Sequence, residues 1–179
     1  MQPTININVS DANAEGDTIY INKYARITNN DIAVAKVSWH EHYIIKRVVG
    51  TPGDKVEIRD LETVYGVYVN DSLLYAKEKY GENSAFIKTG SVGYFASYQD
   101  LLKNANFQNN VETDGTTSYI VLHENEYFLM GDNWGHTTDS VTKGVVKSSE
   151  LVGKVDLIVD VTNNRPFTAT WFFLKKIFS

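Results

Sequence analysis

The 179-residue chain contains no cysteine. That excludes disulfides, thiolate metal sites, iron–sulfur clusters and a cysteine nucleophile. It has no basic stripe either: 17 Lys and Arg stand against 22 Asp and Glu, for a net charge of -5. Nucleic-acid phosphates are held by clustered Lys and Arg, so no nucleic-acid partner is expected. No run approaches the roughly 18 apolar residues that span a bilayer. The first ten residues carry neither a basic n-region nor an apolar h-region, so no leader is visible and the chain reads as soluble. What remains, with 42% hydrophobic and 22% charged residues, is enough apolar material for one core of ordinary size, with disorder not expected.

The chain does have many short segments of period two, rich in aromatic and β-branched residues. They cover residues 18–21, 32–37, 42–49, 55–58, 67–69, 118–122, 126–130 and 154–159. Turn-forming clusters separate them, at Gly50–Asp54, Asn70–Asp71, Gly131–Asn133 and Asn163–Asn164. Many short strands with frequent turns predict a mainly β fold with little helix. Only Ser97–Asn104 and Pro166–Phe178 have helical spacing, and the latter could equally be an extended aromatic tail. Residues 60–117 are more polar and less regular. They are expected to form an inserted cap between two parts of an antiparallel β core, 1–59 and 118–164, followed by an aromatic and basic tail, 165–179.

Three motifs stand in order. The first is Met1-Gln2-Pro3-Thr4-Ile5. The second runs Lys46-Arg47-Val48-Val49-Gly50-Thr51-Pro52-Gly53-Asp54. The third runs Gly131-Asp132-Asn133-Trp134-Gly135-His136-Thr137-Thr138-Asp139-Ser140. Together they resemble the boxes of the type I signal peptidases, on both sides of the insertion. The resemblance implies the family's β fold and a serine endopeptidase with a Ser–Lys dyad. It also implies signal peptides of exported precursors as substrates, no cofactor, and work at the extracytoplasmic face of a bacterial cell membrane. An anchor helix is expected upstream of the chain.

In the family the nucleophilic serine immediately precedes the methionine, which puts it just ahead of Met1. The 179-residue chain alone is therefore expected to be inactive. The resemblance makes Lys46 the general base. A lysine can act as base only when neutral, and its ordinary pKa of about 10.4 must be lowered for that. Burial among Tyr43, Ile44, Ile45, Val48 and Val49 could lower it. Strand alternation alone fits a solvent-facing lysine just as well. Thr137 falls where the family has the serine that hydrogen-bonds the lysine, and is expected to orient Lys46. Arg47, Asp132 and Asp139 are expected to support the site, with Arg47 either solvated or paired to one of the two aspartates. Met1, Ile5, Ile44, Ile45 and Thr138 match substrate-pocket positions. There an extended peptide adds to a sheet edge and places small side chains in shallow pockets.

Two positions depart from the family. Trp134 and Val141 stand where arginines are usual, and losing the second removes the usual partner of Asp139. Arg47 or Lys143 could take its place. These departures and the missing serine leave a second reading open: a non-catalytic relative that binds precursors or pilins and assists pilus assembly. A self-cleaving repressor protease is a third, opposed by the complete lysine box and the lack of a DNA-binding segment. His40 and His42 could share a strand face as zinc ligands, but no third ligand has matching spacing, and no metal is expected. The tail Trp171–Phe178 mixes aromatics with lysines and suits either a membrane surface or a closing element on the core.

Overall fold

The computed structural model describes residues 18–78 and 85–159. Met1, Ile5 and the tail 165–179, with the proposed helix at Pro166–Phe178, lie outside the described residues. The rest is built from two antiparallel sheets. The first has the order β1-β11-β2-β3-β9-β10, from Thr18–Asn22 (β1), Leu151–Val159 (β11), Ile32–Ala35 (β2), Ile44–Gly50 (β3), Glu126–Met130 (β9) and Val146–Lys147 (β10). The second has the order β6-β5-β4-β8-β7. Its strands are Ser72–Glu78 (β6), Val64–Val69 (β5), Lys55–Asp60 (β4), Thr117–Val121 (β8) and Val111–Asp114 (β7).

The fold is mainly β, as the alternating segments predict. Eight of the strands fall on those segments. The strands β6, β7 and β10 do not, and neither does most of the long helix. That helix, α1, spans Ala85–Lys103, where helical spacing marked only its C-terminal part from Ser97. Residues 90 and 93 are glycines, poor helix formers, so local propensity hides the first turns. Packing supplies what propensity lacks: Tyr94, Tyr98, Leu101 and Leu102, at spacings of three and four, are all buried in the main core.

The chain passes from the first sheet to the second at the end of β3. A Cβ on Gly50 would lie 2.6 Å from both Leu122 Cδ1 and Val56 Cγ2, so only glycine lets the sheets approach there. The turn that follows is closed by Asp54, whose Oδ2 accepts from the Thr51 N–H at 2.8 Å and its hydroxyl at 2.9 Å. Gly53 supplies the left-handed residue at φ 88°. The second half of the lysine motif is thus architecture. It fixes where β3 ends, and with it where Lys46 sits.

Two apolar clusters hold the assembly. The larger joins the second sheet, α1 and β9 through Val56, Ile58, Val67, Tyr98, Ile120, Phe128 and Met130. The smaller lies on the first sheet around Ala33, Val37, Ile44, Val48 and Leu129. Residues 40–42 precede β3 rather than belonging to it. His40 Nδ1 lies 3.0 Å from the His42 carbonyl oxygen. Among the described residues there is no group of three or more potential metal ligands, and no helix is long and apolar enough to cross a membrane.

Candidate active site

The site forms where β3 meets the loop that follows β9. Antiparallel pairing puts Arg47 opposite Met130, and the chain then leaves the sheet at Gly131. A short 3-10 helix, Trp134–His136, turns it back. Asp139 caps a four-residue helix, Ser140–Lys143 (α2), with Oδ1 accepting from the Val141 N–H at 3.0 Å. This loop lays Thr137 against the end of β3.

Lys46 Nζ donates to Thr137 Oγ1 at 2.7 Å. The Thr137 hydroxyl donates onward to Asp139 Oδ2 at 2.9 Å. Lys46 lies between Ile44 and Val48 on its strand face, both of them buried, and opposite Ala33 of β2. Burial pushes its pKa below the ordinary lysine value, against the charges of Asp139 and Asp132, which raise it. The alternating pattern left a solvent-facing lysine open; the lysine is instead half-buried and held by Thr137.

Arg47 points to the other strand face and takes Asp132, not Asp139. Nε reaches Oδ1 at 2.9 Å and the terminal nitrogen reaches Oδ2 at 2.8 Å, a two-pronged pairing. The guanidinium also donates to the Asn30 carbonyl oxygen at 3.1 Å and to its side-chain oxygen at 3.2 Å. It therefore ties the start of the loop to the β2 side of the sheet. These bonds to Asp132 hold the Arg47 pKa above its usual value, against the effect of burial.

Asp139 is fully buried. Its Oδ2 accepts from the Gly131 N–H at 2.7 Å, the Tyr94 hydroxyl at 2.7 Å and Thr137. Burial raises its pKa, and the bonds from Gly131, Tyr94, Thr137 and Val141 oppose that rise. Tyr94 is the site residue that sequence reasoning missed. It comes from α1, 45 positions away, and takes the place expected of Arg47 or Lys143 as partner of Asp139. Its ring stacks on buried Trp134 at 4.8 Å between centroids and 26° between planes. The two departures from the family's pattern thus belong to one arrangement. Val141 is fully buried apolar core, and Trp134 backs the tyrosine that serves Asp139.

Gly131 owes its identity to Thr137, not only to the turn. A Cβ there would stand 2.1 Å from Thr137 Oγ1. Gly131→Ala must displace the threonine hydroxyl from Lys46. We expect a destabilisation of about 1–3 kcal/mol and, in any catalytically competent form, a loss of roughly tenfold to a hundredfold in turnover. Thermal melts and a cleavage assay on the same preparation check both.

Of the proposed pocket residues, Ile44 is buried in the smaller cluster, Ile45 is half-buried and Thr138 is exposed. Pairing with β2 covers one edge of β3 from Ile44 to Arg47, while pairing with β9 on the other edge begins only at Arg47. Along Ile44–Lys46 that second edge has no strand partner among the described residues.

The family described as "Signal peptidase, peptidase S26" matches residues 2–160. The chain belongs to this family. It is a family of serine endopeptidases that act on the signal peptides of exported precursors. Among curated proteins the chain is similar to signal peptidase IB of Staphylococcus aureus, 26% identical over 152 residues, covering 79% of this chain and 67% of that protein. It is also similar to signal peptidase I P of Bacillus subtilis subsp. natto, 24% identical over 148 residues, with 79% and 66% covered. A signal peptidase I crystal structure from Enterococcus faecalis V583 matches with a TM-score of 0.44 at 21% identity. The match covers 73% of this chain and 97% of that one.

Proposed function

We propose that the chain is the catalytic part of a signal peptidase I. It cuts signal peptides from exported precursors at the extracytoplasmic face of the membrane, with Lys46 as general base. The observation that carries the reading is the 2.7 Å bond from Lys46 to Thr137, made by a half-buried lysine whose pKa burial lowers. A neutral amine beside a serine hydroxyl takes its proton as the hydroxyl oxygen attacks the scissile carbonyl. It then returns that proton to the leaving amine. The nucleophile in this reading is a serine immediately ahead of Met1, the position that the resemblance of the first motif to the family's serine box implies. No metal or cofactor is needed for these steps.

The edge of β3 at Ile44–Lys46 that has no strand partner among the described residues suits an extended substrate, since backbone pairing there would run the peptide directly past Lys46. Ile45 and Thr138 flank that edge in this reading, with Met1 and Ile5 contributed by the segment next to the nucleophile. The non-catalytic reading rested on the missing serine, Trp134 and Val141, and the structure bears on the last two. Both are accommodated without disturbing the Lys46–Thr137–Asp139 chain, which favours the enzyme.

The test is to extend the chain by a serine ahead of Met1, preceded by a short neutral leader, and assay a quenched signal-peptide substrate with small residues before the cut. Cleavage that requires both the added serine and Lys46 is expected. No cleavage by the well-folded extended chain, with binding of precursors or pilins retained, would overturn the enzyme reading in favour of an assembly factor.

A further inference from the structure

We propose that Tyr94 is a positioning residue for Lys46: its hydroxyl keeps Asp139 an acceptor, which commits the proton of Thr137 to Asp139 and leaves the lysine lone pair free. The inference rests on the reading of Lys46 as the base and deepens it.

The protons around Asp139 can be counted. The Gly131 and Val141 backbone groups can only donate to Asp139. The Tyr94 hydroxyl has one proton, and it is directed at Asp139 Oδ2 at 2.7 Å. Thr137 also has one proton, and it goes to the same oxygen. Its hydroxyl oxygen can then only accept from Lys46, which spends one N–H on it. A neutral lysine has two N–H groups and one lone pair. With one N–H fixed on Thr137, the lone pair is turned away from Thr137.

If Asp139 took up a proton, the direction would reverse. Asp139 would donate to Thr137, and Thr137 would be free to donate to Lys46 and occupy the lone pair. The base would then be blocked without any atom leaving its place. Tyr94 guards against this because a donor bonded to a buried carboxylate favours its ionised form. A guanidinium would do the same with a full charge. A phenol does it while remaining neutral, and burial together with the Asp139 charge pushes the Tyr94 pKa well up, so it stays a donor.

The side chains that act on Asp139 are Lys46 of β3, Thr137 of the loop, Tyr94 of α1 and, at longer range, Tyr75 of β6, while Asp132 acts on Lys46 and Tyr75. Tyr75 is partly buried, and its pKa is raised by desolvation and by the two aspartates, so it too stays neutral. Asp132 is engaged by Arg47. Tyr94 is thus the neutral donor in direct contact with Asp139 that can be removed without removing the loop.

The experiment is Tyr94→Phe, which keeps the ring on Trp134 and deletes only the hydroxyl. The carboxyl carbon of Asp139 and the side-chain ε-carbon of Lys46 are titrated by NMR in the full chain. In the parent, the Lys46 signal is expected to show a step at the Asp139 midpoint. In the variant, that midpoint and the Lys46 step should move up together by roughly one to two pH units, the size of a lost bond to a charged group. Site-specific 3-fluorotyrosine at position 94, a stronger donor that fits the same space, should move both down.

An unchanged Asp139 midpoint overturns the proposal. So does a midpoint that moves while the Lys46 step is absent, because the tyrosine would then serve Asp139 alone. The serine-extended form adds a readout of the function: the acid limb of its pH–rate profile should move with the step. If that form never cleaves, the peptidase reading fails, while the two titrations still decide the role of Tyr94.

Discussion

In the serine-extended chain, Lys46→Met should lower signal-peptide cleavage by about 10²–10⁴-fold while raising the melting temperature at neutral pH. The first effect is the loss of proton transfer by a positioned base. The second follows from burial. The Lys46 pKa lies lower in the folded chain than the ordinary value of 10.5, with desolvation as the largest cause. Between the lowered folded value and the ordinary one, the unfolded chain binds the proton more tightly. Stability from this group therefore rises with pH through that window, and at neutral pH the fold carries the cost of a buried ammonium. Methionine fills a similar volume without the charge. The gain over the parent should accordingly be largest near neutral pH and shrink as pH rises past the folded value. Calorimetry over a pH series and a cleavage assay measure the two effects. A variant that melts below the parent at neutral pH would show that Lys46 is a structural cation and not a destabilised base.

Asp139→Ala should be the most damaging single substitution at the site for stability. It strands the N–H groups of Gly131 and Val141 and the hydroxyls of Tyr94 and Thr137 around a fully buried position. Each stranded buried donor costs about 1–3 kcal/mol, not additively. A loss on the order of 4–6 kcal/mol is expected, or about 10–20 °C in melting temperature for a chain of this size. The pH dependence runs opposite to that of a salt-bridged carboxylate. The Asp139 pKa is raised above 3.8 in the fold, with burial the largest cause. Its contribution is therefore complete below the unfolded value and declines as pH rises through the folded one. The gap between parent and variant should be widest in acid and narrow through the folded midpoint. Thermal melts from acid to neutral pH test this, and a gap that widened with pH would reverse the sign.

Much of the site was legible because its parts are short-range. Lys46 and Arg47 are neighbours on one strand, and strand alternation sends them to opposite faces. Thr137 and Asp139 lie within one loop, and loop spacing alone carries them to β3 once Arg47 pairs with Met130. Which aspartate Arg47 would take was not legible. The choice depends on the register of β3 against β9, and that register places Asp132 directly beyond the last rung. Tyr94 was hidden for a different reason. It sits on a helix whose first turns have low propensity, in a stretch without period, and it meets Asp139 only through the packing of α1 on the loop. Trp134 and Val141 read as losses in one dimension because the partner that explains them is 40 or more positions away. The strands β6, β7 and β10 escaped notice because they are completed by their neighbours. The two residues of β10 form a strand only against Tyr127 and Glu126.

The stacking of Tyr94 on Trp134, beside a fully buried Val141, has a practical consequence for anyone rebuilding this protein. Positions 94, 134 and 141 form a set that must be exchanged as a block. Restoring the family's arginine at 141 alone would drive a guanidinium into packed hydrocarbon that already has a donor for Asp139. Removing the tyrosine alone would leave the carboxylate short of one. A chimera that joins residues 131–144 of this chain to a helix lacking the tyrosine would leave Asp139 only the donors of its own loop, Gly131, Thr137 and Val141. The exchangeable unit is the loop together with the helix face that closes it, although the two are far apart in the gene.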